Sequence, residues 1–113
     1  MISLTNRIQK IFDKYKGKHN YDCILPSSGG KDSTYQTLKV LEFGLKPLVI
    51  TVTTDMLTPI GRKNIENLKN KGVDYLELTP NPIIRKKINK LALETVGDLT
   101  WTEEVAVSCT VTK

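Results

Sequence analysis

The chain has 113 residues, with 17 lysines and arginines against 12 aspartates and glutamates, which gives a formal net charge of +5. A chain of this length forms one domain at most. The longest apolar stretches, such as residues 47–50, are too short to span a bilayer, and no continuous apolar segment typical of a secretory signal opens the sequence. Two cysteines and one histidine cannot form the usual four-ligand zinc site. We therefore interpret the chain as reduced and cytoplasmic, without membrane insertion.

The positive charge has two explanations. The basic residues are spread along the sequence, with one cluster over residues 85–90. A surface that binds RNA or an anionic cofactor is one explanation, and lysines on the solvated faces of helices are the other and commoner one. Net charge alone does not decide between them.

The first part of the chain carries a helix signal, a strand signal and a second helix signal. Residues 3–16 have apolar side chains at helical spacing and predict an amphipathic helix that ends near Gly17. Residues 21–26 predict a short buried strand. After a glycine-containing loop, apolar residues recur at helical spacing up to Gly44, where a helix is expected to end. The helix-spaced residues are Leu4, Ile8, Ile11, Phe12 and Tyr15 in the first helix, and Tyr35, Leu38, Val40 and Leu41 in the second.

The second part repeats this alternation. Residues 47–53 are rich in β-branched side chains and apolar on both faces, which is typical of a central parallel strand. Residues 59–71 predict a helix, residues 73–78 a third strand, and residues 82–96 a further helix. Ile60, Ile65 and Leu68 are expected to face inward, Ile84, Ile88, Leu91, Ala92 and Val96 form one apolar stripe, and Gly72 and Gly97 end the two helices.

This order of elements predicts an α/β fold preceded by an N-terminal helix. Helices that connect successive parallel strands make right-handed crossovers, and such a sheet is covered by helices on both faces. We therefore expect a partial three-layer, Rossmann-like parallel sheet. The tail, residues 98–113, is compatible with another helix starting at Thr102 or with a strand over residues 105–107.

The segment SSGGKDS, residues 27–33, lies between the first strand and the second helix. Its two glycines lack a Cβ, so the backbone can take positive φ and approach a bulky anion. Their N–H groups and those that open the helix are expected to form an anion-binding nest. Lys31 adds a positive charge, and the hydroxyls of Ser28 and Ser33 add donors to phosphate oxygens. The structural alternative is a glycine-rich turn with a capping aspartate or serine.

Asp32 is an unusual residue for an anion site. A carboxylate beside phosphates is explained if it holds Mg²⁺ directly or through water, since Mg²⁺ prefers oxygen ligands shared with substrate phosphates. The loop is not a Walker A motif, because that pattern would need a glycine where the chain has Leu25 and a serine or threonine at position 32. Cys23, inside the first strand, is interpreted as a packed small hydrophobe rather than a nucleophile.

These residues resemble a known family. Ser28, Gly29, Gly30, Lys31, Asp32 and Ser33 match the SGGxDS signature of PP-loop ATP pyrophosphatases. More narrowly, residues 21–82 resemble the bacterial N-acetyl sugar amidotransferases of surface-polysaccharide synthesis, and the resemblance extends through residues 97–101. It implies an adenine nucleotide alpha hydrolase-like fold in which the loop binds the pyrophosphate portion of ATP. It also implies that Lys31 and Asp32 are catalytic and that Asp32 holds Mg²⁺.

The resemblance further implies a reaction and its partners. The acetamido oxygen of a nucleotide-linked N-acetyl sugar would be adenylated by ATP, and ammonia would then displace AMP to leave an acetamidino group. The pathway would be the synthesis of a surface polysaccharide such as lipopolysaccharide O-antigen. Ammonia would come from a glutaminase subunit and its cyclase-like partner, and nucleic acid is not an expected partner.

Two further groups of site residues follow from the resemblance. Thr53 and Asp55, after the second strand, would flank the nucleoside. Gly61, Arg62 and Asn64, which begin the next helix, would contact the substrate at the carboxyl ends of the strands, where open α/β sheets bind ligands. Each group has an alternative, since Asp55 suits a turn cap and Arg62 a solvated position in the first turns of a helix.

Family members usually carry a cysteine-bearing segment before the first helix and a further α/β stretch after the third unit. We therefore expect residues 1–113 to be a single, incomplete PP-loop nucleotide-binding domain, either a fragment or a truncated reading frame, that is inactive alone. Two other functions stay open. One is a tRNA-modifying PP-loop enzyme, a thiolase or lysidine-type ligase, although thiolation normally needs paired reactive cysteines. The other is an ATP-binding fragment without catalysis.

Overall fold

A computed structural model describes residues 3–53 and 57–99, together with residues 101, 105, 108 and 109 of the tail. Helices and strands alternate in the order expected from the sequence. The elements are α1 (Leu4–Tyr15), β1 (Cys23–Pro26), α2 (Lys31–Glu42), β2 (Pro47–Val52), α3 (Pro59–Lys69), β3 (Asp74–Leu78) and α4 (Pro82–Val96). No helix in this described part is long and apolar enough to cross a membrane.

The three strands form one parallel sheet in the order β1-β2-β3. The prediction of β2 as the central strand is confirmed, and the register places Leu25, Val49 and Tyr75 side by side across the sheet. Successive right-handed crossovers in one direction place α2 and α3 on the same face of the sheet. The architecture is an α/β fold consistent with part of a Rossmann-like domain.

The core lies between this face of the sheet and the two helices. Val49, Leu68 and Val73 are its buried centre, and Leu25, Leu41 and Tyr75 pack against them. Ile65 is also fully buried. Each such side chain contributes about 1.5–3 kcal/mol on burial, so this small set supplies much of the stability.

The helix ends agree with the sequence analysis. Gly17, Gly44, Gly72 and Gly97 all have positive φ, and each follows the end of a helix. At the other end of α1, the Ser3 side chain accepts a hydrogen bond from the Asn6 N–H at 3.2 Å and caps the helix. Phe12 packs edge-to-face on Phe43 with ring centroids 5.2 Å apart, which joins α1 to the end of α2.

The expected inward position of Ile60 is wrong, because its side chain is 74% exposed. Ile65 and Leu68 are three residues apart and lie on the buried side of α3. Ile60 precedes Ile65 by five residues, which at 100° per residue places it on another side of the helix. In α2 the buried side chains are Thr37 and Val40, whereas Tyr35 is exposed.

The apolar stripe expected on α4 is mostly exposed. Ala92 is buried, but Ile84, Leu91 and Val96 are each more than half exposed. On the second face of the sheet, Ile24, Leu76 and Leu78 are about 40% exposed. In the tail, residues 101, 105, 108 and 109 have helical backbone, which favours the helical alternative at those positions.

Candidate functional site

The loop between β1 and α2 is built around Gly29. This residue is buried and has a φ of +77°, a conformation that L side chains rarely adopt. Its N–H donates to the Ser27 Oγ at 3.2 Å. A Cβ placed on Gly29 would lie 3.2 Å from the Ile65 Cγ1, so both the backbone conformation and the space require glycine here.

Gly30 has a different role from its neighbour. Its φ is −80°, so the expected positive φ holds for Gly29 and not for Gly30. Gly30 is the N-cap of α2, and no side chain caps the first turn. Its carbonyl accepts hydrogen bonds from the Thr34 N–H at 3.1 Å and from the Thr34 Oγ1 at 2.8 Å.

The uncapped first turn of α2 provides free hydrogen-bond donors beside the loop. The N–H groups of the first residues of a helix have no intrahelical acceptor, and the helix dipole adds partial positive charge there. Ser28, Gly30, Lys31 and Asp32 are all exposed at this point. The expected nest of glycine N–H groups is not formed here, because the Gly29 N–H donates to the Ser27 Oγ and the Gly30 N–H donates to the Ser28 Oγ at 3.4 Å. The first turn of α2 can still offer its backbone donors and the Lys31 ammonium to an anion, with the Asp32 carboxylate beside them.

Ser27 holds the loop together, and the motif match missed it because the match begins at Ser28. Ser27 is buried, and its N–H donates to the Ile50 carbonyl at 2.8 Å. Its Oγ accepts from the Gly29 N–H and donates to the Ser33 Oγ, and the Ser33 Oγ donates to the Gly30 carbonyl, both at 3.2 Å. The doubled serine was the only sequence signal for this role, and the Ser33 hydroxyl serves the loop itself in this arrangement.

A chain of hydroxyl groups ties the loop to the sheet. The Thr51 Oγ1 donates to the Ser27 carbonyl at 2.6 Å and is also hydrogen-bonded to the Tyr75 hydroxyl. Because Thr51 has only one hydroxyl proton, Tyr75 is the donor in the second bond. Burial raises the pKa of Tyr75 above its ordinary value, which keeps this proton in place. The loop is thereby connected to all three strands.

Thr53 lies at the carboxyl end of β2, as expected for a nucleoside-side residue. It is buried, its N–H donates to the Leu78 carbonyl at 2.8 Å, and its hydroxyl is 2.6 Å from the Thr79 hydroxyl. Thr79 was not singled out in the sequence, because a lone threonine after a strand carries no signal. Asp55 lies outside the described residues.

The start of α3 is brought against the loop. The Cβ position of Gly29 is 3.7 Å from the Gly61 carbonyl and 3.8 Å from the Asn64 Cβ. Arg62 is directed elsewhere, because its Nη1 lies 2.6 Å from the Glu77 Oε1 on β3. Of the three residues expected to contact substrate, Gly61 and Asn64 adjoin the loop and Arg62 is held by an ion pair.

A groove between α2 and α3 opens beside the loop and has a volume of about 470 Å³. Gly29 and Gly30 lie at one end of it. We call it the α2–α3 groove, and its principal side chains are Lys31, Tyr35, Leu38, Asn64, Asn67 and Lys71.

The two cysteines and the carboxylates of the described residues do not form a preformed metal centre. Burial is the main reason that the pKa of Cys23 is raised, with the Asp22 charge adding to it, which agrees with a packed thiol rather than a nucleophile. No group of three or more histidine, cysteine or acidic side chains lies close together among the described residues.

The structure is an α/β fold consistent with a partial Rossmann-like fold, and the uncapped start of α2 lies at the carboxyl edge of its sheet. No protein-family model matches the chain, and no curated protein matches it at a significant level.

Proposed function

We propose that the chain is the ATP-binding part of a PP-loop ATP pyrophosphatase. The observation that carries the proposal is the loop itself: Gly29, at positive φ, connects β1 to α2, and no side chain of the N-cap residue caps the first turn of α2. The first N–H groups of α2 have no side-chain cap, and the helix dipole favours phosphate oxygens at this point. Lys31, in the first turn, supplies a full charge beside them.

The residues present fit Mg²⁺-bound ATP. The backbone donors of the first turn of α2, residues 31–33, suit the β and γ phosphates, and the Asp32 carboxylate suits Mg²⁺ through one oxygen ligand or a water. Mg²⁺ would neutralise charge on the phosphates and favour departure of pyrophosphate. Thr53 and Asp55 are the proposed nucleoside-side residues.

The proposed reaction is adenylation followed by amidation. The acetamido oxygen of a nucleotide-linked N-acetyl sugar attacks the α phosphorus of ATP, and pyrophosphate leaves with the electrons of the broken P–O bond. Ammonia then adds to the activated carbon and AMP departs, which leaves an acetamidino group. Gly61 and Asn64 adjoin the loop and are proposed to contact the acceptor. Arg62 is proposed to fix the start of α3 to β3 through its ion pair with Glu77.

The complete protein that this proposal requires is larger than the described unit. We propose that residues 1–113 form one incomplete nucleotide-binding domain whose second sheet face becomes covered in a three-layer arrangement. A glutaminase and a cyclase-like subunit would supply ammonia, and the reaction would take place in the cytoplasm. The exposed apolar side chains of α4 and of Ile24, Leu76 and Leu78 support this part of the proposal.

ATP binding is tested on the ¹⁵N-labelled chain by NMR titration with Mg²⁺ and ATP. We expect the largest amide shifts in residues 28–33, and we expect Lys31→Ala to weaken binding about tenfold, as for loss of one charge-assisted hydrogen bond. Lys10→Ala is the matched control, because Lys10 is equally exposed but lies on α1. Shifts spread over many lysines, or equal weakening by both variants, would contradict the proposal.

The reaction is tested by ATP/pyrophosphate exchange on the full-length gene product. Exchange stimulated by an acetamido nucleotide sugar is the expected result. Stimulation by tRNA instead would assign the chain to the tRNA-modifying enzymes, and exchange stimulated by neither would exclude both enzymatic functions.

A further inference from the structure

We propose that the α2–α3 groove, which adjoins the loop of residues 27–33, is a binding site for a glycosyl phosphate. Its volume of about 470 Å³ is within the range of about 300–1,000 Å³ that is usual for small-molecule sites. On α2 it extends from Lys31 to Leu38, a separation of seven positions, or about 10 Å of helix. The groove is therefore long enough for a sugar ring and its phosphate.

The charge of the groove favours an anion. Lys31 and Lys71 both line it, and none of its described lining residues is acidic. Neither ammonium forms an ion pair within the described part of the chain, whereas Lys39, Arg62 and Lys69 elsewhere on these elements are paired with glutamates. Two lysines without acidic partners in one concave surface suit a phosphate group.

The uncharged side chains of the groove favour a sugar. The carboxamides of Asn64 and Asn67 each offer donors and an acceptor, which matches the mixed hydrogen bonding of sugar hydroxyls. Neither side chain has a hydrogen-bond partner among the described residues, so both are available. Tyr35 and Leu38 provide an exposed aromatic ring and an apolar side chain, against which the apolar face of a pyranose can pack.

The position of the groove relates it to the proposed reaction. Gly29, Gly30 and Lys31 belong both to the groove and to the loop, so a ligand in the groove would end next to bound phosphates. Identification of this ligand with the acceptor rests on the proposed function, whereas binding of the glycosyl phosphate does not. The groove would hold the sugar and phosphate of the acceptor while the loop holds ATP.

The test is an NMR titration of the ¹⁵N-labelled chain with N-acetylglucosamine 1-phosphate. We expect shifts of the side-chain amides of Asn64 and Asn67 and of the backbone amides of residues 35–38. Lys71→Ala should weaken binding about tenfold, as for loss of one charge-assisted contact. Lys63→Ala is the matched control, because Lys63 is an exposed lysine of α3 outside the groove lining, and it should leave the affinity within about twofold.

Parallel titrations distinguish the alternatives. Asn67→Ala should weaken binding of the glycosyl phosphate but not of inorganic phosphate. Equal affinity for inorganic phosphate, shifts confined to residues 28–33, or no effect of Lys71→Ala would each overturn the groove proposal. If Mg²⁺ and ATP shift the amide signals of the groove more strongly than the glycosyl phosphate does, the groove is part of the ATP site and the groove proposal is overturned. Failure of ATP to shift the loop, with the glycosyl phosphate still bound in the groove, would instead count against the proposed function alone.

Discussion

The substitution Gly29→Ala tests whether the loop is built as described. Its cost has two parts that the structure separates. An alanine at a φ of +77° costs about 1–2 kcal/mol in backbone strain. Its Cβ would also lie 3.2 Å from the Cγ1 of Ile65, a fully buried side chain that has little room to move, which adds about 1–2 kcal/mol of overpacking. We expect a total loss of about 2–4 kcal/mol in the free energy of unfolding.

Gly72→Ala is the matched control for this prediction. Gly72 has a φ of +85°, so alanine meets comparable strain there, but its Cβ would have no heavy atom within 4 Å. The gain from restricting the unfolded chain is the same for both variants and cancels in the comparison. We therefore expect Gly72→Ala to cost only about 1–2 kcal/mol.

Both variants are measured by urea-induced unfolding, followed by circular dichroism and analysed at equal denaturant slope. Gly29→Ala should lose at least about 1 kcal/mol more than Gly72→Ala. Equal losses would show that the loop does not pack against α3 through Ile65, and the geometry on which the ATP-binding proposal rests would then be incorrect.

Three further predictions concern Ser27, Asp22 and Asp32. Ser27→Ala leaves the buried Gly29 N–H without its acceptor, so we expect it to lower the free energy of unfolding in urea by about 1–3 kcal/mol. Ser28→Ala, at an exposed serine, is the control and should cost under about 0.5 kcal/mol. Similar losses of unfolding free energy in the two variants would refute the role of Ser27. The N–H groups of Gly17 and Lys46 donate to the Asp22 carboxylate and lower its pKa in the folded chain. The ionised Asp22 carboxylate therefore stabilises the fold at pH values above the ordinary carboxyl pKa of about 4. This stabilisation is lost as the pH falls through the lowered pKa of the folded state. Asp22→Asn should therefore be less stable than wild type at pH 7, and the difference should narrow in unfolding measurements below about pH 4; a difference independent of pH would contradict this. Asp32→Ala should abolish pyrophosphate exchange, because the exposed carboxylate is proposed to bind Mg²⁺. The free energy of unfolding should change by at most about 1 kcal/mol, because this side chain does not pack in the core. Unfolding of this variant would show that Asp32 has a structural role.

Much of the candidate site could be recognised from the sequence, because its signals are local. Two adjacent glycines between a strand and a helix predict a sharp entry into the helix, and Gly29 has the positive φ that this requires. The position of Thr53 at the carboxyl end of β2 also follows from local order. The role of Ser27 could not be predicted, since it depends on the Gly29 N–H, the Ser33 hydroxyl and Thr51, which only the folded chain brings together.

The sequence by itself determined the helices α1–α4, the strands β1–β3 and the glycine that bends the loop. These depend on side-chain periodicity and on backbone freedom, which act over a few neighbouring residues. Only the tertiary structure decided that Ile60 is exposed, that Arg62 pairs with Glu77, and that Asn64 and Lys71 share a groove with the loop. Those features depend on contacts between residues far apart in the chain, and a local sequence pattern does not indicate which distant side chains will be in contact in the folded protein.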